Sequence, residues 1–206
     1  MRNAVLTGPI RIGKTTVCQA VAEQTRARGY NVRGILTPPI LDADGQRLGI
    51  EIVDLATGKR RALAKLTQPD HALGVDAAAG QAGSAGHVAT EALEGDFSGP
   101  SVGVYQFDAR ALQWGREIVA RAIAAGCDLL IVDEIGRLEL ERSEGFGAVL
   151  RLLETGIVLR SLLVVRRELL DKFRLRLPEL QHVTFDISDD NRQTLPHDLA
   201  EWFFLD

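Results

Sequence analysis

Short apolar runs alternate along the chain with longer segments in which apolar residues recur every three or four positions. Residues 4–6 form the first apolar run and predict a short strand. After it, apolar residues recur at helical spacing to about residue 28. The next run, residues 31–37, ends at two prolines. The runs at 128–134 and 156–165 are apolar almost throughout, which is typical of parallel strands buried on both faces.

The intervals between these runs complete a strand–helix alternation. Two strand-like runs flank "ATGK" and predict a β-hairpin over residues 48–66. The other predicted elements are strands at 102–107 and 182–187 and helices at 110–125, 143–154, 167–176 and 195–204, with Ser143 as an N-cap. Repeated strand–helix units predict an α/β fold, in which helices cover both faces of a mainly parallel central sheet and the hairpin is an excursion from it.

No linker or internal repeat divides the chain, so we expect one domain over residues 1–206. Residues 67–101 are rich in Ala, Gly and Ser and are predicted to be a flexible insertion. A net charge of −4 argues against an extended nucleic-acid-binding surface. No apolar run approaches the roughly 20 residues that span a membrane. We therefore expect a cytoplasmic protein, and a monomer.

Between the first strand and the first helix lies a phosphate-binding motif. Residues 8–15 fit G-x-x-x-x-G-K-[ST], the P-loop, in which backbone N–H groups at a helix N-terminus converge on phosphate. Lys14 is expected to reach the β- and γ-phosphates, and the Thr15 hydroxyl is expected to bind Mg²⁺. The nucleotide-binding residues predicted here are Gly8, Pro9, Ile10, Arg11, Ile12, Gly13, Lys14, Thr15 and Thr16. The fold prediction narrows to a P-loop NTPase three-layer sandwich.

Two carboxylates end the buried run "LLIVDE". Charges at the end of a core strand are costly unless they have a function there. In a P-loop protein, the first of them, Asp133, is expected to face Mg²⁺. The second, Glu134, is then placed to accept a proton from an attacking water or to orient it, which favours hydrolysis over transfer to a hydroxyl acceptor.

Phosphoryl transfer also needs positive charge beyond the lysine. Four arginines are candidates: Arg137, Arg166, Arg167 and Arg192. We select Arg137, three residues past Glu134, and Arg192 with its neighbour Asn191 as nucleotide-binding residues. For each single arginine a solvated surface position remains the alternative.

The chain resembles the thermostable-type, or cancer-related, nucleoside-triphosphatase family. The resemblance rests on "GPIRIGKTT", "RGILT", "DGQRLGIEIVDLATGKR", "VDEIGRLEL" and "DDNRQTLPHDL", which together cover most of the chain outside residues 67–101. It implies a RecA-like arrangement with Glu134 as the base. The implied reaction is Mg²⁺-dependent hydrolysis of ATP, GTP and other nucleoside triphosphates to diphosphate and phosphate. Thr37 is followed by two prolines instead of the acidic residues common in the family, and Leu138 replaces a methionine.

Three other functions share the motif. A small-molecule or nucleotide kinase would need an arginine-bearing lid, and residues 67–101 contain no arginine. A GTP switch would need an Asn/Thr-Lys-x-Asp tetrapeptide, which the sequence lacks. The third function, a slow nucleotide-binding regulatory module, remains an alternative to the enzyme.

Overall fold

The computed structural model describes residues 1–68, 93, 95–142 and 144–205. Within them, one ten-stranded sheet is flanked by helices. The strands are β1 (Arg2–Thr7), β2 (Val32–Leu36), β3 (Pro39–Leu41), β4 (Arg47–Asp54), β5 (Arg60–Leu66), β6 (Ser101–Val102), β7 (Tyr105–Phe107), β8 (Leu129–Ile135), β9 (Arg160–Val165) and β10 (Val183–Asp186). The helices are α1 (Lys14–Ala27), α2 (Ala109–Ala125), α3 (Arg137–Glu141), α4 (Gly147–Leu150), α5 (Leu170–Arg176) and α6 (Leu195–Phe204).

The sheet has a parallel half and an antiparallel half. Its strand order is β10-β1-β9-β8-β2-β4-β5-β7-β6, with β3 paired to β4. The five strands from β10 to β2 are parallel to one another, and all pairs beyond β2 are antiparallel. The carboxyl ends of β1, β8, β9 and β10 therefore share one edge. This arrangement confirms the predicted α/β class, the parallel core and the hairpin excursion.

Apolar residues on both faces of the parallel strands bury the sheet between two layers. On β1, Ala4 and Leu6 pack with residues of α1 and α6, whereas Val5 packs with residues of α2 and α5. On β8, Ile131 packs on the side of α1 and α6, and Leu130 packs on the side of α2 and α5. This alternation places helices on both faces of the sheet and confirms the predicted three-layer sandwich.

Strand β2 joins the two halves and contains a tightly packed glycine. Gly34 has φ +118°, and a Cβ there would lie 1.9 Å from the carbonyl oxygen of Ile131 on β8. On the other side, its own carbonyl accepts a hydrogen bond from the Leu55 N–H at 3.0 Å. Only glycine fits this conformation and this spacing.

The predicted helix over 143–154 is wrong in extent. The structure has α3, then α4, then a 3-10 turn over Arg151–Thr155. Gly145 interrupts any longer helix because it adopts φ +56°. Ser143, predicted as the N-cap, lies outside the described residues. Arg137, expected in a loop, is the first residue of α3.

Two other predictions need adjustment. The prolines end β2, but Pro39 then begins the short strand β3. Within the described residues β3 pairs with β4 alone and is an edge strand, where a residue without an N–H is tolerated. Most of the predicted insertion over 67–101 lies outside the described residues. Its described end packs against β7, where Phe97 is buried and its carbonyl accepts from the Gln106 amide at 2.8 Å. Among the residues described, no helix combines the length and apolarity needed to cross a membrane.

Candidate active site

The predicted phosphate-binding loop joins β1 to α1 through three residues with positive φ. Gly8 has φ +149°, Arg11 +65° and Gly13 +106°. A Cβ on Gly8 would lie 2.5 Å from the Ile187 side chain and 2.8 Å from its carbonyl oxygen. The Ile187 N–H also donates to the carbonyl of Thr7 at 2.9 Å. The segment that follows β10 therefore supports the base of the loop, and glycine is required at its first position.

Lys14 is the first residue of α1, and its side chain lies along the loop. Its Nζ donates to the carbonyl oxygens of Gly8 at 3.0 Å and Pro9 at 2.7 Å. Burial lowers the pKa of Lys14, while the nearby Glu134 carboxylate raises it. The helix N-terminus and the ammonium thus concentrate positive potential at one point of the sheet edge.

Asp133 is a buried carboxylate held by neutral donors. It is 1% exposed at the end of β8 and accepts from the Thr37 N–H at 3.0 Å. The Thr15 hydroxyl on α1 lies near enough to Asp133 to lower its pKa. Burial nevertheless raises the pKa of Asp133 to about 6, against the effect of Thr15 and of the hydrogen bonds from Thr37. A hydroxyl and a carboxylate, both hard oxygen donors, therefore meet beside the loop.

Glu134 leaves the regular strand. Its φ is +69°, and the pairing of β8 with β9 shifts register between Val132 and Ile135. Positive φ in a glutamate is a strained backbone of the kind that clusters at functional sites. The side chain is 34% exposed, and its Oε1 accepts from Arg166 through Nε at 3.2 Å and also through Nη2.

A second buried carboxylate, Glu139 on α3, fixes the segment after Glu134. Its Oε2 accepts from the Gly136 N–H at 2.8 Å, and its Oε1 accepts from the Phe146 N–H at 3.2 Å. Burial raises the pKa of Glu139 to about 7. Sequence reasoning missed this residue, although a glutamate three positions after Gly136 has the spacing at which a side chain caps a helix N-terminus.

Asn191 and Arg192 follow β10 and so lie at the same sheet edge. The Asn191 side-chain amide donates to the Asp186 carbonyl at 2.9 Å and shapes the turn. The Arg192 guanidinium lies 3.3 Å from the exposed Asp189 carboxylate. Arg137 is exposed at the start of α3. The nucleotide-binding roles of these three residues stay predictions.

The two arginines that follow β9 differ in their partners. Arg166 contacts Glu134, whereas Arg167 forms an exposed ion pair with Asp186, with Nη2 at 2.7 and 2.6 Å from its two oxygens. Glu168, which sequence reasoning did not select, lies close enough to influence the pKa of Lys14. The candidate site thus brings together Lys14, Thr15, Asp133 and Glu134, whose roles stay predictions, and Arg166, which the sequence only offered as one of four.

Comparison with known proteins gives a consistent set of relatives. A family model described as NTPase matches residues 3–200. The nucleoside-triphosphatase THEP1 of Methanopyrus kandleri is 37% identical over 72% of this chain and 66% of its own length. Proteins of the same name from Thermococcus kodakarensis and Methanosarcina barkeri are 31% and 30% identical, and the alignments cover 84% and 98% of those proteins. The solution structure of a human cancer-related nucleoside triphosphatase shares the fold, with a TM-score of 0.64, 22% identity, and coverage of 99% of this chain and 98% of that one.

Proposed function

Since the chain belongs to the NTPase family, we propose that it is a nucleoside-triphosphatase that hydrolyses ATP, GTP and other nucleoside triphosphates to the diphosphate and inorganic phosphate. The observation that carries the proposal is the proximity of Lys14 and Thr15 on α1 to Asp133 and Glu134 on β8, close enough for these groups to influence one another's pKa. These groups come from α1 and β8, which are far apart in sequence and meet at the carboxyl edge of the parallel strands.

Binding is the first step. The N–H groups of the loop and of the first turn of α1 surround the β-phosphate, since they have no partners within the helix. Lys14 moves its Nζ from the loop carbonyls to the β- and γ-phosphate oxygens. The positive φ of Gly13, which glycine adopts freely, and the strained positive φ of Arg11 fit a loop that is shaped for close approach of an anion.

The donor set beside the loop fits Mg²⁺. This ion takes one or two protein oxygens and completes its shell with phosphate oxygens and water. The Thr15 hydroxyl and the Asp133 carboxylate would hold it, and their proximity supports that pairing. When bound, Mg²⁺ would neutralise charge on the β- and γ-phosphate oxygens.

Hydrolysis is the second step. Glu134 orients a water in line with the γ-phosphorus and accepts its proton as the new P–O bond forms. The bond from the γ-phosphorus to the bridging oxygen breaks, and the diphosphate leaves with that oxygen. Positioning and charge neutralisation supply most of the rate, as in other phosphoryl-transfer sites.

The test is phosphate release from ATP, GTP, CTP and UTP, with and without Mg²⁺ and with candidate acceptors. Free phosphate without an acceptor supports hydrolysis. A phosphorylated acceptor would identify a kinase, and turnover only with a protein partner would identify a regulatory module. Lys14→Ala should abolish release and weaken binding, whereas Glu134→Gln should abolish release and keep nucleotide affinity within about threefold. Wild-type turnover in Glu134→Gln would refute the base assignment.

A monomeric state and a cytoplasmic location belong to the same proposal. The proposed chemistry requires no residue from a second copy of the chain. Light scattering after size exclusion, with and without nucleotide and Mg²⁺, tests the oligomeric state. A dimer under both conditions would contradict it.

A further inference from the structure

We propose that Arg166 is the arginine that binds the γ-phosphate, and that the same guanidinium aligns Glu134 for the attacking water. This inference rests on the proposed hydrolysis. It selects one arginine from a chain that contains many, and it does so on position and contacts.

Position is the first argument. β9 lies between β1 and β8 in the sheet, so the residue that follows its last position, Val165, emerges between the phosphate-binding loop and the Asp133-Glu134 pair. Arg166 has extended backbone angles, φ −64° and ψ 141°. The side chain is 36% exposed, and it reaches the carboxylate of Glu134 across the edge.

Charge is the second argument. Glu134 is close to two cations at once, since it holds the guanidinium of Arg166 and lies within electrostatic range of the Lys14 ammonium. Lys14 and Arg166 also lie within electrostatic range of each other. Two neighbouring cations at the end of a phosphate-binding loop repel each other, and a triphosphate with its several negative charges relieves that repulsion.

The hydrogen-bonding capacity of the guanidinium is the third argument. Arg166 uses Nε and Nη2 on one oxygen of Glu134, and within the described residues its Nη1 makes no hydrogen bond. An arginine presents five donors in a fixed plane, so one edge can hold the base while another holds phosphate oxygens. A lysine has no comparable geometry.

The other candidates have different partners. Arg167 pairs with Asp186, and Arg192 lies beside Asp189. Arg137 is exposed on α3 and is not among the charges that influence Lys14. Of the four arginines, only Arg166 contacts a residue proposed to act in the reaction.

The experiment measures turnover and binding in Arg166→Ala and Arg166→Lys. Arg166→Ala should lower kcat by about a hundredfold or more, because charge that develops on the γ-phosphate loses its partner. Its affinity for a non-hydrolysable ATP analogue should fall about tenfold, while its affinity for ADP should change less than about threefold. Compared with Arg166→Ala, Arg166→Lys should recover part of the ratio of analogue affinity to ADP affinity. It should recover almost none of kcat, since a point charge cannot also align Glu134.

Arg174→Ala is the matched control. Arg174 on α5 is a more exposed arginine, at 54% against 36% for Arg166, and pairs with Asp171 at 3.0 Å rather than with a residue of the site, so its variant should behave as wild type. An unchanged ratio of analogue to ADP affinity in Arg166→Ala overturns the inference, as does a loss that appears in Arg167→Ala instead. The binding ratio does not depend on turnover, so a wild-type protein that releases no phosphate would refute the proposed function separately. If Arg166→Ala does not fold, the same ratio in Arg166→Lys decides the question.

Discussion

The two halves of the sheet treat buried carboxylates in opposite ways. At the carboxyl edge of the parallel half, Asp133 on β8 and Glu139 on the following helix α3 are buried against neutral N–H and hydroxyl donors, and their pKa values are raised to about 6 and about 7. In the antiparallel half, the buried Glu51 on β4 lies 2.6 Å from the Arg60 guanidinium on β5. There Asp54 also accepts from two groups of its own hairpin turn, the Ala56 N–H at 2.9 Å and the Thr57 hydroxyl at 2.9 Å.

The difference separates function from folding. A buried carboxylate that forms no ion pair costs stability, and a fold retains it where that charge is used by a ligand or by the chemistry. A carboxylate that pairs with arginine, closes a turn or caps a helix, as Glu139 does for α3, needs no such explanation. The parallel half therefore accepts an energetic cost at Asp133 that Glu51 and Asp54 in the antiparallel half avoid, and each half can be tested by substitutions.

The largest effect is expected at Gly34, where the two halves join. Gly34→Ala places a Cβ 1.9 Å from the Ile131 carbonyl oxygen and also strains a residue at φ +118°. We expect a loss of about 4 kcal/mol or more in the free energy of unfolding, from the clash and the backbone strain together. Urea unfolding measures it.

The control for Gly34 is Gly58→Ala in the hairpin turn. Gly58 has φ +72°, but a Cβ there would meet no atom within 4 Å. Its cost should be limited to backbone strain, about 1 kcal/mol. Equal losses in the two variants would show that close packing between β2 and β8 is not what joins the halves.

An intermediate effect is expected from Glu139. Its pKa is raised from 4.5 to about 7 on folding, so the folded protein binds this proton more tightly than the unfolded chain. The free energy of unfolding should therefore fall as pH rises from about 4.5 to about 7, by roughly 3 kcal/mol from this residue alone. Glu139→Gln, which cannot titrate, should flatten that slope in urea unfolding measured at successive pH values.

Glu141→Gln on the same helix is the control for the pH experiment. Glu141 is exposed, and the hydrogen bond from Lys172 lowers its pKa. This variant should keep the wild-type slope between about pH 4.5 and 7. Asp133, with its pKa raised to about 6, leaves a residual slope below that pH in all three proteins. A full wild-type slope in Glu139→Gln would contradict the raised pKa of Glu139.

The smallest effect is expected in the antiparallel half. Arg60→Ala removes the guanidinium beside Glu51, and because Arg60 is 38% exposed, water replaces part of the interaction. The loss should be about 1 kcal/mol in the free energy of unfolding. Phosphate release per folded molecule should stay within about twofold of wild type. A large loss of activity without a loss of stability would mean that this half also serves the reaction.

The sequence predicts the strands, the loop and the two carboxylates because each depends on neighbours within a few residues. The lateral order of strands depends on pairing between distant segments, so nothing near residues 160–165 indicates that β9 separates β1 from β8. The choice of Arg166 depends on that order. The local cue in the sequence, a position three residues after Glu134, favoured Arg137 instead. The helix predicted over 143–154 fails because apolar spacing says nothing of the positive φ at Gly145. Glu139 was within reach of the capping rule.

The place of β1 between β9 and β10 has a consequence for biosynthesis. Ala4 pairs with Leu162 on one side and Val183 on the other, so the strand that leads into the loop has no neighbour until most of the chain has left the ribosome. Contacts of such long sequence separation form late in folding. The phosphate-binding loop would be completed only after Ile187 has been translated, and nascent chains that stop short of it should fail to bind nucleotide.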